Sequence, residues 1–459
     1  MSGRRRSQPA AAVVTVLAAA LAAASARADE RDAPPPLAAL LEQTTKALAH
    51  PHAKEPLRAL RTTLGTRVVR EPLSDMEWLD LHVALAALDR TLDARPDAGL
   101  GSGVVDPTES SADAFDASCV AEKRHPVGYA RFAWLLRRTE GLDLGPLAVL
   151  AEGERARHAT QDALAAFARS RGVDDWRDLL TRAREDHPRS HDELLAWCRE
   201  AVATCTATVA RAEVVSLPRG AESLPVAVFP PEFLHPYAHY IPGKRDAQGV
   251  YHGTYRVAPL PRGLDEDARD AWLTEFDRGF VWAVSAHEGV PGHHLQFTAA
   301  AYSAGRLRGF SWNSTYVEGW GFYAEDLAAE IGALEGDAAE FALLRGRAWR
   351  AVRCYVDPAL HVGRIRPSEA VELLMREMGA TRRAAELEVR RYLESPTQPM
   401  SYWIGRREIL AMRADHVARH GPGSLRAFHD ALLGLGCVPL PLAAAALLER
   451  RAEYDREHP

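Results

Sequence analysis

The chain has 459 residues, with 56 Lys and Arg against 62 Asp and Glu, a net charge of -6 and 47% hydrophobic residues. This is ordinary globular material, too apolar for a disordered chain and without the basic excess of a nucleic-acid binder, so no nucleic-acid partner is expected. Five cysteines in a chain of this length exclude a disulfide scaffold.

Arg4, Arg5 and Arg6 precede a mostly apolar run from Ala10 to Ala24, and Ala26-Arg27-Ala28 follows. A basic start, a short apolar centre and a small-residue exit predict a secretory signal peptide over residues 1–28. The apolar run is shorter than the ~20 residues that cross a bilayer. No later stretch is longer, so the mature chain is expected to be periplasmic or secreted, with no integral membrane segment. Cleavage would remove four arginines and no acid, taking the net charge to -10.

Leu and Ala recur at helical spacing over Leu37 to Leu64 and Trp78 to Leu92. The polar, Gly- and Pro-bearing stretch from Arg95 to Ser118 reads as a loop. It separates an N-terminal helical section, 29–118, from a main body, 119–459. Helical pattern resumes from Tyr129 to Glu213, broken at Gly141–Pro146 and at Gly172, and Trp197 to Val215 predicts a long helix ending before Pro218. Cys198 and Cys205 stand about 10 Å apart on that helix, too far to bond each other. With Cys119, Cys354 and Cys437 they read as small buried apolar residues.

Val214 to Pro261 differs, being rich in Pro and Tyr, with residues 249–257 alternating like a strand. It predicts a loop-rich β-insertion of one or two hairpins. Such a segment is either a surface excursion or the wall of a cleft, since irregular loops carry recognition. On the second reading Tyr240 and Tyr255 are candidate substrate-binding residues.

The chemistry concentrates in Ser285-Ala286-His287-Glu288-Gly289-Val290-Pro291-Gly292-His293-His294-Leu295-Gln296. Zinc peptidases place two His one turn apart on a helix, with the Glu after the first as general base. Here Pro291 occupies the position of the second His. In a straight helix His287 and His293 would face different ways, and His287 and His294 would stand about 10 Å apart, too far to share an ion. Pro291 and Gly292 permit a bulge, and looping out two residues makes His293 the effective partner of His287, with His294 as the alternative ligand. Phe280, Val281, Ala283 and Val284 supply an apolar side for the motif helix. A catalytic metal needs a third protein ligand. Glu318, in Tyr316-Val317-Glu318-Gly319-Trp320, is the candidate, with Glu325 or Asp326 orienting a ligating His. No G-x-S-x-G elbow is present, which excludes the simplest serine-hydrolase reading.

Together, His287-Glu288-x-x-Pro291-Gly292-His293-x-x-Gln296 and Val317-Glu318-Gly319-Trp320 resemble the bacterial family known as domain of unknown function 885. Pro126–Ala130, the aromatic loop from Tyr237 to Val257, Val356–His361 and Pro396–Gly405 resemble further blocks of that family, and the likeness covers about residues 120 to 450. Trp403 departs from it, since the family more often has Lys there. The resemblance implies a mainly α, helical zincin-like metallopeptidase architecture with a small β-insertion. It also implies one Zn2+ per chain and a peptide or small amide substrate.

The expected reaction is peptide hydrolysis by a metal-activated water, with Glu288 as general base and Tyr402 and His361 as donors to the oxyanion. Arg353 either pairs with Asp357 or binds a substrate carboxylate. The alternatives are a metal-dependent hydrolase of non-peptide amides or esters, and a non-catalytic peptide-binding envelope protein.

Overall fold

The computed structural model describes residues 37–49, 54–65, 73–93, 111–230, 237–303, 308, 312–451 and 454–455. The expected signal peptide lies outside the described residues. The chain divides into two units, Met1–Asp97 with Gly305–Ser311, and Ala98–Ala304 with Trp312–Pro459. In the first, α1 (Leu37–Leu48), α2 (Lys54–Gly65) and α3 (Asp75–Asp93) pack together. Leu37 and Leu40, then Leu57, Leu60 and Leu64, fall at helical spacing and are buried.

The second unit begins before residue 118. The stretch expected as loop contains α4 (Ala112–Ala121), capped by the Ser111 hydroxyl, which accepts from the Ala114 N–H. Phe115 and Cys119 on α4 join a core cluster of this unit. Next come α5 (Tyr129–Arg138), α6 (Pro146–Ser170), α7 (Trp176–Ala183) and α8 (His191–Ala212), interrupted where Gly141–Pro146 and Gly172 predict. All five cysteines are buried and unbridged.

The insertion forms β1 (Val226–Val228), β2 (Ala238–Arg245) and β3 (Tyr251–Val257), in the order β1-β3-β2. The expected hairpin is the antiparallel pair β2 and β3, with Tyr240 opposite Tyr255, and β1 adds a short parallel strand. Thus β2 is an edge of the sheet, with backbone groups available to a neighbour.

The remaining helices are α9 (Glu266–Leu273), α10 (Arg278–Glu288), α11 (His293–Ser303), α12 (Ser314–Glu330), α13 (Gly336–His361), α14 (Pro367–Met378), α15 (Arg382–Glu394), α16 (Gln398–His420), α17 (Leu425–Gly434) and α18 (Leu440–Leu447). The predicted bulge is instead a helix break. Helix α10 ends at Glu288, the chain turns through Gly289–Gly292, and α11 starts at His293. The Gly292 N–H donates to the Ala286 carbonyl across the turn. A Cβ on Gly292 would lie 1.8 Å from the His287 carbonyl oxygen, so only glycine fits there.

Helix α12 is the centre of the unit. The Asn313 side chain caps it by accepting from the Tyr316 N–H, and every residue from Thr315 to Ala328 is buried. It packs against α10 and α16. The approach to α16 is close because glycines meet at the crossing. A Cβ on Gly405 would be 1.9 Å from the Thr315 carbonyl oxygen, and one on Gly319 would be 2.5 Å from the Gly405 Cα. From α17, buried His429 donates its Nδ1–H to the Val214 carbonyl and accepts the Tyr323 O–H at Nε2. Both ring nitrogens of the neutral form are used, and burial pushes its pKa down to about 4.

Gly405→Val should force α12 and α16 apart at a destabilisation of about 3 kcal/mol or more, read from urea unfolding. For His429 the unfolded chain takes up a proton below its ordinary pKa of about 6.5, whereas the folded chain resists until about 4. Its contribution is therefore complete at neutral pH and is lost as pH falls through that window. His429→Gln should flatten the fall in unfolding free energy between pH 7 and pH 4.5 relative to the parent, by up to about 3 kcal/mol.

Candidate metal centre and cleft

The break between α10 and α11 brings the His287 and His293 rings to 4.7 Å between centroids, nearly perpendicular at 86°. His287 Nε2 lies 3.7 Å and His293 Nε2 3.5 Å from Glu318 Oε2, and all three side chains are buried. Among the described residues this is the cluster of metal-ligand type, with one ligand atom from each residue within 4.8 Å of the others.

Outer partners set the ring orientations. His287 donates Nδ1–H to Glu325 Oε1 at 2.8 Å, and His293 donates Nδ1–H to Gln296 Oε1 at 3.1 Å. Each Nε2 is thereby left to face Glu318, the arrangement in which a second hydrogen bond selects the ligating nitrogen. Arg350 holds Glu325 from behind at 2.7 Å. Gly321 leaves the space open, since a Cβ there would lie 2.7 Å from His287 Nε2 and 2.9 Å from His293 Cε1.

Electrostatics favour a cation at this point. Burial disfavours imidazolium at His287, but the Glu318 and Glu325 carboxylates outweigh it and push the pKa up to about 9. Burial would raise the Glu318 carboxyl, yet the two histidines hold it well below the usual carboxylate range. Two nitrogens and one oxygen with room beside them fit a divalent ion that keeps an open position.

The cleft beside these donors has a volume of about 130 Å³. His287, Glu288, His293 and Glu318 line it together with Tyr402, Arg353, Glu388, Arg391 and Gln398. Glu288 Oε2 accepts the Tyr240 backbone N–H at 2.7 Å, so the β2 edge orients the carboxylate. Tyr402 stacks on His287 at 6.0 Å between centroids. Burial and the Glu318 charge push its phenol up to about 12, so it stays a proton donor. Gln398 donates Nε2–H to Glu318 Oε1 at 2.9 Å and to the Tyr402 oxygen at 3.3 Å. Arg391 donates to Gln398 Oε1 at 2.6 Å, which settles the direction of that amide.

Several expected site residues stand elsewhere. His294 bonds the Gly220 carbonyl through Nε2 and the Tyr240 hydroxyl through Nδ1, so both its nitrogens are used away from Glu318. His361 accepts the Val127 N–H at Nδ1 and donates Nε2–H to the Tyr392 carbonyl. Fully buried and stacked on Phe132, it braces α13 and does not border the cleft. Tyr255 is buried in a core cluster, its hydroxyl near Ser285. The Tyr240 side chain is also buried, and only its backbone N–H serves the site. Tyr255 points inward because alternate residues of β3 face the core, whereas Tyr240 is the one buried residue of β2. Arg353 does line the cleft, but its partner is Glu388 at 2.7 Å and not Asp357. Asp357 accepts from the Thr397 and Met400 N–H groups. Asp326 pairs with Arg347 and Arg406, leaving Glu325 as the orienting acid.

Sequence reasoning passed over Gly321, Gln398, Glu388, Arg391 and Arg350. Gln398 stands in a block already singled out and Gly321 follows Glu318 closely. The α15 residues carry no local signal, because an Arg- and Glu-rich helix reads as a solvated face.

The family model for bacterial proteins of unknown function, DUF885, matches residues 4–447. No curated protein matches the chain. Among solved structures, a "putative lipoprotein" from Colwellia psychrerythraea is 20% identical with a TM-score of 0.63, over 91% of this chain and 74% of that one. A similarly described protein of unknown function from Shewanella oneidensis is 18% identical with a TM-score of 0.62, over 96% of this chain and 81% of that one. These likenesses concern the fold. An M32 carboxypeptidase from Deinococcus radiodurans R1 follows at 12% identity and a TM-score of 0.46, over 97% and 95% of the two chains.

His293→Ala should abolish stoichiometric metal binding, whereas His294→Ala should retain it, as measured by elemental analysis of the purified proteins. Gly321→Ala should keep the helical circular-dichroism spectrum and weaken metal binding at least about tenfold, because its methyl group would occupy the space between the histidines.

Proposed function

The chain belongs to the bacterial DUF885 family of unknown function, and on that premise we propose that it is a zinc-dependent hydrolase of peptide bonds. The observation that carries this reading is the convergence of His287, His293 and Glu318 in one buried site, with Glu288 in the same cleft. Zinc held there supplies a Lewis acid and an activated water near neutral pH.

The chain's own groups do the rest. Glu288, steadied by the Tyr240 N–H at Oε2, has Oε1 to take a proton from water and pass it to the leaving amine. Because Gln398 donates to the Tyr402 oxygen, the phenol's own proton remains for an acceptor in the cleft. That is what a donor to a developing oxyanion requires. Glu325 and Gln296 keep the two imidazoles from turning, and Gln398 occupies Oε1 of Glu318 so that Oε2 faces the histidines.

The pattern of residues 1–28 supports export, and among the described residues no helix is long and apolar enough to cross a membrane.

Purified protein should carry one zinc per chain, and chelation should abolish peptide hydrolysis until zinc is restored. Glu288→Gln should keep the metal while kcat/KM falls by about 10²–10⁴, the range of general acid–base catalysis. Undiminished turnover in that variant would remove Glu288 from the reaction.

A further inference from the structure

The cleft is lined by three arginines and three glutamates, and these charges are unevenly placed. Arg353 on α13 and Arg391 on α15 share one carboxylate, Glu388, and all three line the same cavity as the metal donors. Glu388 is fully used, accepting from Arg353 Nη2 at 2.7 Å, from Arg391 Nη2 at 3.0 Å and Nε at 3.3 Å, and from the Tyr392 hydroxyl at 2.7 Å. Arg391 spends its third nitrogen on Gln398. Arg353 spends Nε on the Tyr392 oxygen, and its Nη1 has no partner among the described residues. The Arg353 side chain is 12% exposed and lines the cleft. Two guanidinium charges against one carboxylate in a nearly buried wall leave a charge that an arriving anion would complete.

The spacing limits where that anion sits on a substrate. Tyr402 lies between the two sites, its ring 5.1 Å from the Arg353 guanidinium carbon and 6.0 Å from the His287 ring. One extended residue covers about 3.5 Å. The path from the His287 ring to the Arg353 guanidinium is thus at most about 11 Å, a span filled by a donor–metal–carbonyl contact at one end, one residue of about 3.5 Å, and a carboxylate–guanidinium contact at the other. Tyr237, Phe280 and Trp349 stand in the same cavity, Tyr237 packed edge-on against the other two. They offer an apolar surface to the side chain of that residue, which leaves its main-chain carboxylate as the anion.

We infer that the cleft recognises the free α-carboxylate of a peptide's last residue through Arg353, with Glu388 and Arg391 holding that guanidinium in place. The inference rests on the hydrolytic reading above and gives it a direction: the bond cut is the last one. Water adds its hydroxyl to the acyl carbon as the C–N bond breaks, and the amino acid leaves with the proton on its amine, so no other reactant is needed.

The test compares N-acetyl-Ala-Phe with its C-terminal amide. On zinc-loaded Glu288→Gln protein, calorimetry should find the acid bound on the order of 100-fold more tightly than the amide. Arg353→Gln in the same background should bring the two affinities together, and Arg353→Lys should keep part of the difference. Equal affinities in the Glu288→Gln protein itself would overturn the inference without reference to any Arg353 variant, so a misfolded variant cannot rescue it. On the unmutated enzyme, release of phenylalanine from the acid and none of phenylalaninamide from the amide is expected. Comparable cleavage of both would sink the carboxylate subsite and leave the peptidase reading standing. Preferential binding of the acid with cleavage of neither would sink the peptidase reading and leave the subsite standing.

Discussion

Everything around the cleft answers one electrostatic demand: α12 carries Glu318, Glu325 and Asp326 through the middle of the second unit, all buried. A carboxylate taken out of water costs several kcal/mol unless a positive or hydrogen-bonding partner meets it. Each has been met by a different element. Glu318 faces the two histidines of α10 and α11 and the amide of Gln398. Glu325 takes His287 and Arg350. Asp326 takes Arg347 and Arg406. The helix that carries Glu318 is therefore also the helix that dictates where its neighbours place their charges.

The demand propagates outward as a connected set of hydrogen bonds. Glu388 orders Arg353 and Arg391, Arg391 turns the Gln398 amide, and that amide reaches both Glu318 and the Tyr402 oxygen. Burial alone would raise the Glu388 carboxyl, yet the two guanidinium groups hold it far below the usual carboxylate range. Such networks are rigid because each member is oriented by the next. The glycine contact between α12 and α16 makes this possible, since the Gln398 amide can approach Glu318 only if the helices carrying them lie close together.

The histidine and glutamate cluster was legible because its signal is local. His287, Glu288 and His293 sit within a few residues of one another, and the chemistry of a metal ligand restricts which residue types can serve. Glu318 and Glu325 were legible because acids among aromatic neighbours are poorly explained as solvated residues. His361, Tyr240 and Tyr255 were misplaced for a common reason. Their residue types suit a catalytic cleft, but whether an imidazole or phenol faces a cavity or braces a core depends on helix rotation and strand facing, which residue type does not encode. Glu388, Arg391 and Arg350 were missed for the opposite reason, since burial by other helices turned ordinary surface charges into the wall of a cleft.

Composition and periodicity alone determined a mainly helical chain with a β-insertion, and the motifs pointed to His287, a following histidine and Glu318 as residues that would meet. These follow from near-neighbour geometry, which sequence spacing records. Only the tertiary structure shows that His293, and not His294, meets Glu318, because a helix break, and not a bulge, sets the second ring against Glu318 and sends the next one towards Gly220. It also decided which distant charges share the cleft. Those meetings depend on how closely whole helices approach, a distance set by glycines at crossings and by the burial of acids that must find partners.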